Sequence, residues 1–408
     1  MSKKKILVID DDKNMLEFSK AQLTKSGYET YTLNDSALAM EKINLYKPDV
    51  LIVDLLMPKV DGYALIENIR KCADLNDTKI IVVSAKAFKF DHNRVYEMGA
   101  NAYLNKPFKY ENLEAEIKSV LRNEIKITFW GTRGTIPKPG KSTLKFGGNT
   151  SCVSVELTKN RLFIFDAGTG IIELGEYLNS NNKRHKMNLL ITHPHWDHIH
   201  GFPFFWPIYK QGNELAVYGT PHGNISLREV MSGQMESIYF PVTIREFASR
   251  VYFREISEGD YEIEGLSVKT MLLIHPGITL GYKIKDTDGK SMAYITDNEI
   301  DRRGEERHDT YTRHKLAKFL NKVDVLIHDS SYSDDEYKRR VGWGHPPITE
   351  VLKLAADAEV KSLYLSHHDP SHNDDKVAEK EAYARRYFEE RNLDIQCSAA
   401  IEGSSVII

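Results

Sequence analysis

Three short apolar runs, Ile6-Leu-Val-Ile9, Val50-Leu-Ile-Val53 and Ile80-Ile-Val-Val83, punctuate the first 122 residues, and amphipathic stretches such as the one carrying Leu16 and Leu23 separate them. Strands that are apolar throughout are buried on both faces, and strands that alternate with helices pair in parallel. The expectation is a doubly wound α/β unit: a parallel sheet covered on both sides. Each run stops at a polar residue, Asp10, Asp54 or Ser84. In such sheets sites form at the carboxyl ends of the strands. A helix over 109–122 is predicted to close this unit.

From residue 125 the pattern changes. Ile125-Lys-Ile-Thr-Phe-Trp130 reads as a new strand. Glycine-rich turns follow, then histidine-bearing loops, with helices predicted near 313–321, 348–358 and 375–390. Two domains are expected, 1–122 and 125–408, joined by a link too short to let them drift apart. Residues 1–122 carry 19 basic and 18 acidic side chains and the rest 36 and 40, so neither part has the basic field of a nucleic-acid binder. Three scattered cysteines suggest no disulfide framework. No run reaches the ~18 apolar residues of a membrane span, and the basic start precedes too few apolar residues for a signal peptide. A cytoplasmic protein is expected.

Asp10, Asp11 and Asp54 are predicted to share one sheet edge. Three carboxylates there would repel one another without a divalent cation, and oxygen donors at a shallow edge suit Mg²⁺. Ser84 and Lys106, which precedes Pro107, can reach the same point. A carboxylate nucleophile beside Mg²⁺, a lysine and a hydroxyl is suited to accept a phosphoryl group. These residues, with Asp54-Leu-Leu-Met-Pro58, Asp61-Gly62, Ser84-Ala85 and Lys106-Pro107, resemble the receiver domain of two-component response regulators over residues 4–122. The resemblance implies phosphorylation of Asp54 by a sensor histidine kinase, with Tyr103 as the aromatic switch.

Thr192-His193-Pro-His195-Trp-Asp197-His198 follows the run Asn188-Leu-Leu-Ile191. Imidazole and carboxylate together suit Zn²⁺, Mn²⁺ or Fe. Four such donors within six residues are too many for one metal with an open position, so two metals are expected. His275, Asp297 and His367 each follow a predicted strand, as does Asp166. Burial of so many polar groups in one place requires a metal. Residues 125–408 resemble the metallo-β-lactamase superfamily, an αββα sandwich. By position, the resemblance implies that His193, His195 and His275 hold one metal, that Asp197, His198 and His367 hold the other, and that Asp297 bridges them. Asp166 would orient a ligand histidine. Gly344-His345-Pro-Pro-Ile-Thr-Glu350 looks like the ribonuclease Z and cyclic phosphodiesterase branch, with His345 at the position that assists the leaving group, although Pro346-Pro347 departs from ribonuclease Z.

His345 and Asp197 are thus the candidate catalytic groups, and Arg133, Asn149 and Thr150 candidate substrate contacts. Phe202, Phe204, Phe205 and Trp206 fit core packing better than base stacking. The expected function is a response regulator with an enzymatic output, a dinuclear-metal phosphodiesterase acting on a cyclic nucleotide or related phosphodiester and regulated through Asp54. A ribonuclease Z-like RNA endonuclease and a non-enzymatic di-iron or metal sensor are the alternatives. A small nucleotide fits better than RNA, because no basic arm is evident and the second domain is net acidic. Homodimerisation stays open.

Overall fold

The structure, a computed structural model, describes residues 3–75, 78–85, 94–96, 98–121, 124–157, 161–180, 184–286, 288–300 and 306–408. The chain divides into two compact units, Met1–Asn123 and Glu124–Ile408. In the first, β1 (Lys5–Ile9), β2 (Glu29–Leu33), β3 (Val50–Asp54), β4 (Lys79–Ser84) and β5 (Ala102–Asn105) form one parallel sheet in the order β2-β1-β3-β4-β5. Successive side chains of a strand point to opposite faces. Leu7, Leu51 and Ile80 accordingly join one apolar core and Ile6, Ile52 and Ile81 the other, beneath helices that include Lys13–Lys25, Gly62–Lys71 and Tyr110–Leu121. The helix predicted over 109–122 is the last of these, and Arg122 lies outside the described residues.

The second unit contains β6 (Ile125–Gly131), β7 (Cys152–Leu157), β8 (Arg161–Phe165), β9 (Lys186–Leu190), β10 (Glu214–Gly219), β11 (Arg250–Glu255), β12 (Gly259–Ile263), β13 (Leu266–Leu272), β14 (Leu280–Lys285), β15 (Ser291–Ile295), β16 (Val325–Asp329), β17 (Ser362–Ser366), β18 (Gln396–Ala399) and β19 (Ser405–Ile407). They make two mixed sheets, β11-β10-β9-β8-β7-β6-β19 and β12-β13-β14-β15-β16-β17-β18. Phe129, Val155 and Phe165 from the first sheet meet Val268, Tyr282 and Ile327 from the second in a shared core. The helix Gly170–Ser180 covers the outer face of the first sheet. Helices Glu306–Leu320, Ile348–Asp357 and Asp374–Glu389 cover that of the second. This is the expected four-layer αββα sandwich. β8 and β9 run parallel, as do β15, β16 and β17, so the carboxyl ends within each group lie on one edge. No helix among the described residues is long and apolar enough to cross a membrane.

Candidate active site

The carboxyl ends of these strands bring the predicted donors together. His193 follows β9, Asp297 follows β15 and His367 follows β17. His193 Nε2 and His275 Nε2 lie 2.9 and 3.1 Å from His195 Nδ1. The same two nitrogens are 3.9 and 3.6 Å from Asp297 Oδ1. A second group shares the other oxygen: Asp297 Oδ2 is 3.2 Å from His198 Nε2 and 3.1 Å from His367 Nε2, and each nitrogen is 3.2 Å from Asp197 Oδ2. Ligand bonds of ~2.0–2.1 Å in a tetrahedron imply donor–donor edges of ~3.3 Å. Both groups have about that size. His198 Nε2 is buried without a hydrogen-bond partner although two carboxylate oxygens stand beside it. An orphaned imidazole nitrogen among oxygens fits a metal ligand better than a structural histidine.

His193, His198, His275 and His367 are each held from behind, which leaves one nitrogen for the centre. His198 Nδ1 donates to Asp166 Oδ2 at 2.8 Å, and His275 Nδ1 to the Gly344 carbonyl at 3.0 Å. His367 Nδ1 is 3.2 Å from Ser331 Oγ. Asp166 also accepts from the Thr192 amide and hydroxyl. Asp197 Oδ2 accepts from the Thr135 amide at 2.7 Å. Burial and neighbouring imidazoles hold His193 well below the usual histidine range, which keeps its lone pair free. Burial opposes the charge on Asp297, but His367 and His198 outweigh it and keep this carboxyl well below the ordinary value.

Two backbone features make room for these rings. A methyl group on Gly134 would lie 2.2 Å from His367 Cε1, and one on Gly344 2.1 Å from His275 Nδ1, so both positions require glycine. Asp166, Asp297 and His367 adopt positive φ of 61, 53 and 55°, where the chain turns sharply off a strand end. Asp and His enter this region more readily than β-branched residues do.

His345 lines the same cavity, and its Nδ1 donates to Asp329 Oδ2 at 2.7 Å. Burial disfavours a charged ring there. The charge and hydrogen bond of Asp329, with Asp297 beyond, prevail and raise the His345 pKa to about 9. Asp329 ends β16 and Glu299 follows Asp297. Neither was singled out from the sequence. Glu299 is fully buried and accepts from the amides of Gly342 and Gly344, which fixes the loop before His345. An acid at a strand end was the available signal for Asp329; nothing local marks Glu299.

The expected substrate contacts lie apart from this cavity. Arg133 is fully buried, donating to the carbonyls of Gly147 and His372, and Thr150 is buried against Thr169. Asn149 donates to Glu402. None of the three lines the cavity above the histidines. They brace loops, because a buried guanidinium is satisfied by carbonyls as well as by a phosphate. Phe202 and Phe205 pack in the core, as expected, whereas Phe204 and Trp206 are half exposed. His368 and His372, close to His367 in sequence, are also buried.

In the first unit Lys106 Nζ joins Asp10 Oδ2 at 2.7 Å and Asp54 Oδ2 at 2.6 Å. Burial raises the Asp10 pKa despite that lysine. The Lys106 amide donates to the Ser84 carbonyl, Ser84 and Tyr103 are buried, and Asp11 is exposed beside them. The sheet edge therefore gathers Asp10, Asp54, Ser84 and Lys106.

Known proteins divide along the same line. The family model for the response regulator receiver domain matches residues 6–118, and that for the beta-lactamase superfamily domain matches residues 161–368. The alkaline phosphatase synthesis transcriptional regulatory protein PhoP of Bacillus subtilis (strain 168) is 35% identical over 123 residues, 29% of this chain and 49% of that protein. The probable transcriptional regulator ycf27 of Guillardia theta is 36% identical over 128 residues, 31% of this chain and 49% of that one. The chain thus spans about half the length of the curated relatives it matches. Among solved structures, the metallo-beta-lactamase fold protein YhfI from Bacillus subtilis covers 70% of this chain and 100% of its own, with a TM-score of 0.50 at 16% identity, a likeness of fold.

Proposed function

We propose that this chain, which belongs to the beta-lactamase superfamily and carries a response regulator receiver domain, is a two-component regulator whose output is a metal-dependent phosphodiesterase. The observation that carries this is the Asp297 carboxylate, with one oxygen toward His193 and His275 and the other toward His198 and His367. His193, His195 and His275 would hold one metal and Asp197, His198 and His367 the other, with Asp297 between them. The histidine-rich donor set suits Zn²⁺, Mn²⁺ or Fe. When bound, a pair of such ions polarises phosphoryl oxygens and activates water at neutral pH. His345 supports phosphodiester chemistry in particular. Asp329 takes its Nδ1, which leaves Nε2 as the ring nitrogen able to give a proton to a departing oxygen. A cyclic nucleotide or related small phosphodiester is the proposed substrate. In the receiver, Asp54 accepts the phosphoryl group from a histidine kinase. Asp10, Asp11 and Asp54 would hold Mg²⁺, which would supply charge neutralisation for that group, while Ser84, Lys106 and Tyr103 respond to it.

The test is hydrolysis of bis(p-nitrophenyl) phosphate by Zn²⁺- or Mn²⁺-loaded protein beside His193→Ala. Metal-dependent turnover that the substitution abolishes is the expected result. Absence of turnover with each metal, both before and after phosphorylation of Asp54, refutes the reading.

A further inference from the structure

The cavity over the histidines has a volume of about 550 Å³, large enough for a mononucleotide. Besides the donors and His345, its lining is Thr135, Pro194, Trp196, Pro276 and Trp343. Among the described residues that lining holds no lysine or arginine. Two tryptophans on one cavity invite explanation because both stay in solvent: Trp196 is 82% exposed and Trp343 61%. A tryptophan can bury about 150–250 Å² of surface, and these two leave most of that gain untaken.

Neither indole sits on a slack backbone. Trp196 opens the short helix Trp196–Ile199 between the donors His195 and Asp197, and its carbonyl accepts from the His200 amide at 2.8 Å. Trp343 lies between Gly342 and Gly344, whose amides donate to Glu299 at 2.6 and 3.1 Å, and the Gly344 carbonyl accepts from His275. The Arg340 guanidinium stands 6.0 Å from the centre of the Trp343 ring. Large aromatic faces held in place and left bare beside a reaction centre are platforms for a flat partner.

We infer that Trp196 and Trp343 choose the substrate by stacking on a nucleobase. The inference rests on the phosphodiesterase reading and narrows it to a nucleoside phosphodiester of small size. An extended RNA would bring further phosphates to a lining whose described residues include no lysine or arginine. A base-free sugar phosphodiester would leave both indoles idle.

The test is calorimetric binding of AMP and of ribose 5-phosphate, its base-free counterpart, to the metal-loaded full chain. Measured alongside are Trp196→Ala, Trp343→Ala, the double variant and the two Trp→Phe variants. The wild type is expected to favour AMP by ~10-fold or more, the double alanine variant to lose that preference, and phenylalanine to restore most of it. Metal content is measured on every variant. Trp343→Ala, two residues from the nearest catalytic histidine, carries the comparison if Trp196→Ala sheds metal. Equal affinity of the wild type for both ligands, or a preference that survives the double substitution, overturns the inference. If bis(p-nitrophenyl) phosphate is hydrolysed while AMP shows no advantage, stacking fails and the phosphodiesterase reading stands. If AMP is preferred through these tryptophans but phosphodiesters are not hydrolysed, the reaction assignment fails and the base platform stands.

Discussion

A general acid matters in proportion to the basicity of the atom that leaves. p-Nitrophenolate departs without a proton, whereas an alkoxide such as a ribose oxygen needs one. Replacing His345 by alanine or Asp329 by asparagine is therefore expected to slow bis(p-nitrophenyl) phosphate by less than ~10-fold but a 2′,3′-cyclic nucleotide by ~10²-fold or more. Parallel kcat measurements on the two substrates check this, and equal losses would make His345 structural. The glycines give a separable pair of expectations. Gly134→Ala pushes a methyl group into the His367 ring, and Gly344→Ala does so at His275. Each is expected to weaken one centre of the pair, so that dialysed protein retains about one equivalent of metal instead of two by elemental analysis. The candidate metal donors were legible because four of them share one stretch of seven residues, 192–198, and the others follow apolar runs. Asp329 and Glu299 were not, since their partners lie 16 and 45 residues away, at His345 and Gly344. Sequence also could not place Arg133, because residue type does not tell a buried brace from a phosphate ligand.

Parallel strands explain why so much of the architecture could be read in advance. β1, β3 and β4 carry apolar runs because helices cover both faces; Asp54 and Ser84 terminate β3 and β4, and Asp10 follows β1. The sandwich was less open to periodicity. β12, Gly259–Ile263, alternates between exposed and half-buried residues and pairs antiparallel with β13, a local pattern that does not name the sheet it joins. The turns off β8, β15 and β17 carry their own expectation. Asp166, Asp297 and His367 occupy left-handed backbone, and glycine or asparagine there relieves strain that valine would increase. Asp166→Asn should fold with near-normal thermal stability yet lose ~10-fold or more in metal affinity, because the carboxylate that holds His198 has lost its charge. Chelator competition measures this, and unaltered affinity would remove Asp166 from the support of the centre. In the receiver, Asp54→Asn is expected to abolish labelling by a small phosphodonor such as acetyl phosphate in the presence of Mg²⁺. Label retained by that variant would move the acceptor elsewhere.

The stability of the second unit should carry the mark of one buried lysine. Lys380 is 3% exposed and donates to the Ser330 carbonyl at 2.5 Å, and burial lowers its pKa to about 7. As pH falls below ~10.4, the unfolded chain binds this proton while the folded one does not until about 7. Stability attributable to this site is therefore lost across that interval and is constant below it. Relative to wild type, Lys380→Met should gain stability as pH falls from ~10 to ~7, by up to ~4 kcal/mol. Urea unfolding at both values tests the sign. β6 links the start of the second unit to the candidate metal donors. It starts at Ile125, immediately after the first unit, and is flanked by β7 and β19, with Ile125 and Ile408 exchanging both backbone hydrogen bonds. At its far end the chain passes Gly134, against the His367 ring, and reaches Thr135, whose amide holds Asp197. In mechanical terms β6 is a push rod of seven residues, about 23 Å long, stiffened by a neighbour on each side. Load along it would act in shear, the direction in which a hydrogen-bonded strand yields least, and would reach the supports of His367 and Asp197 only through the turn at 132–135.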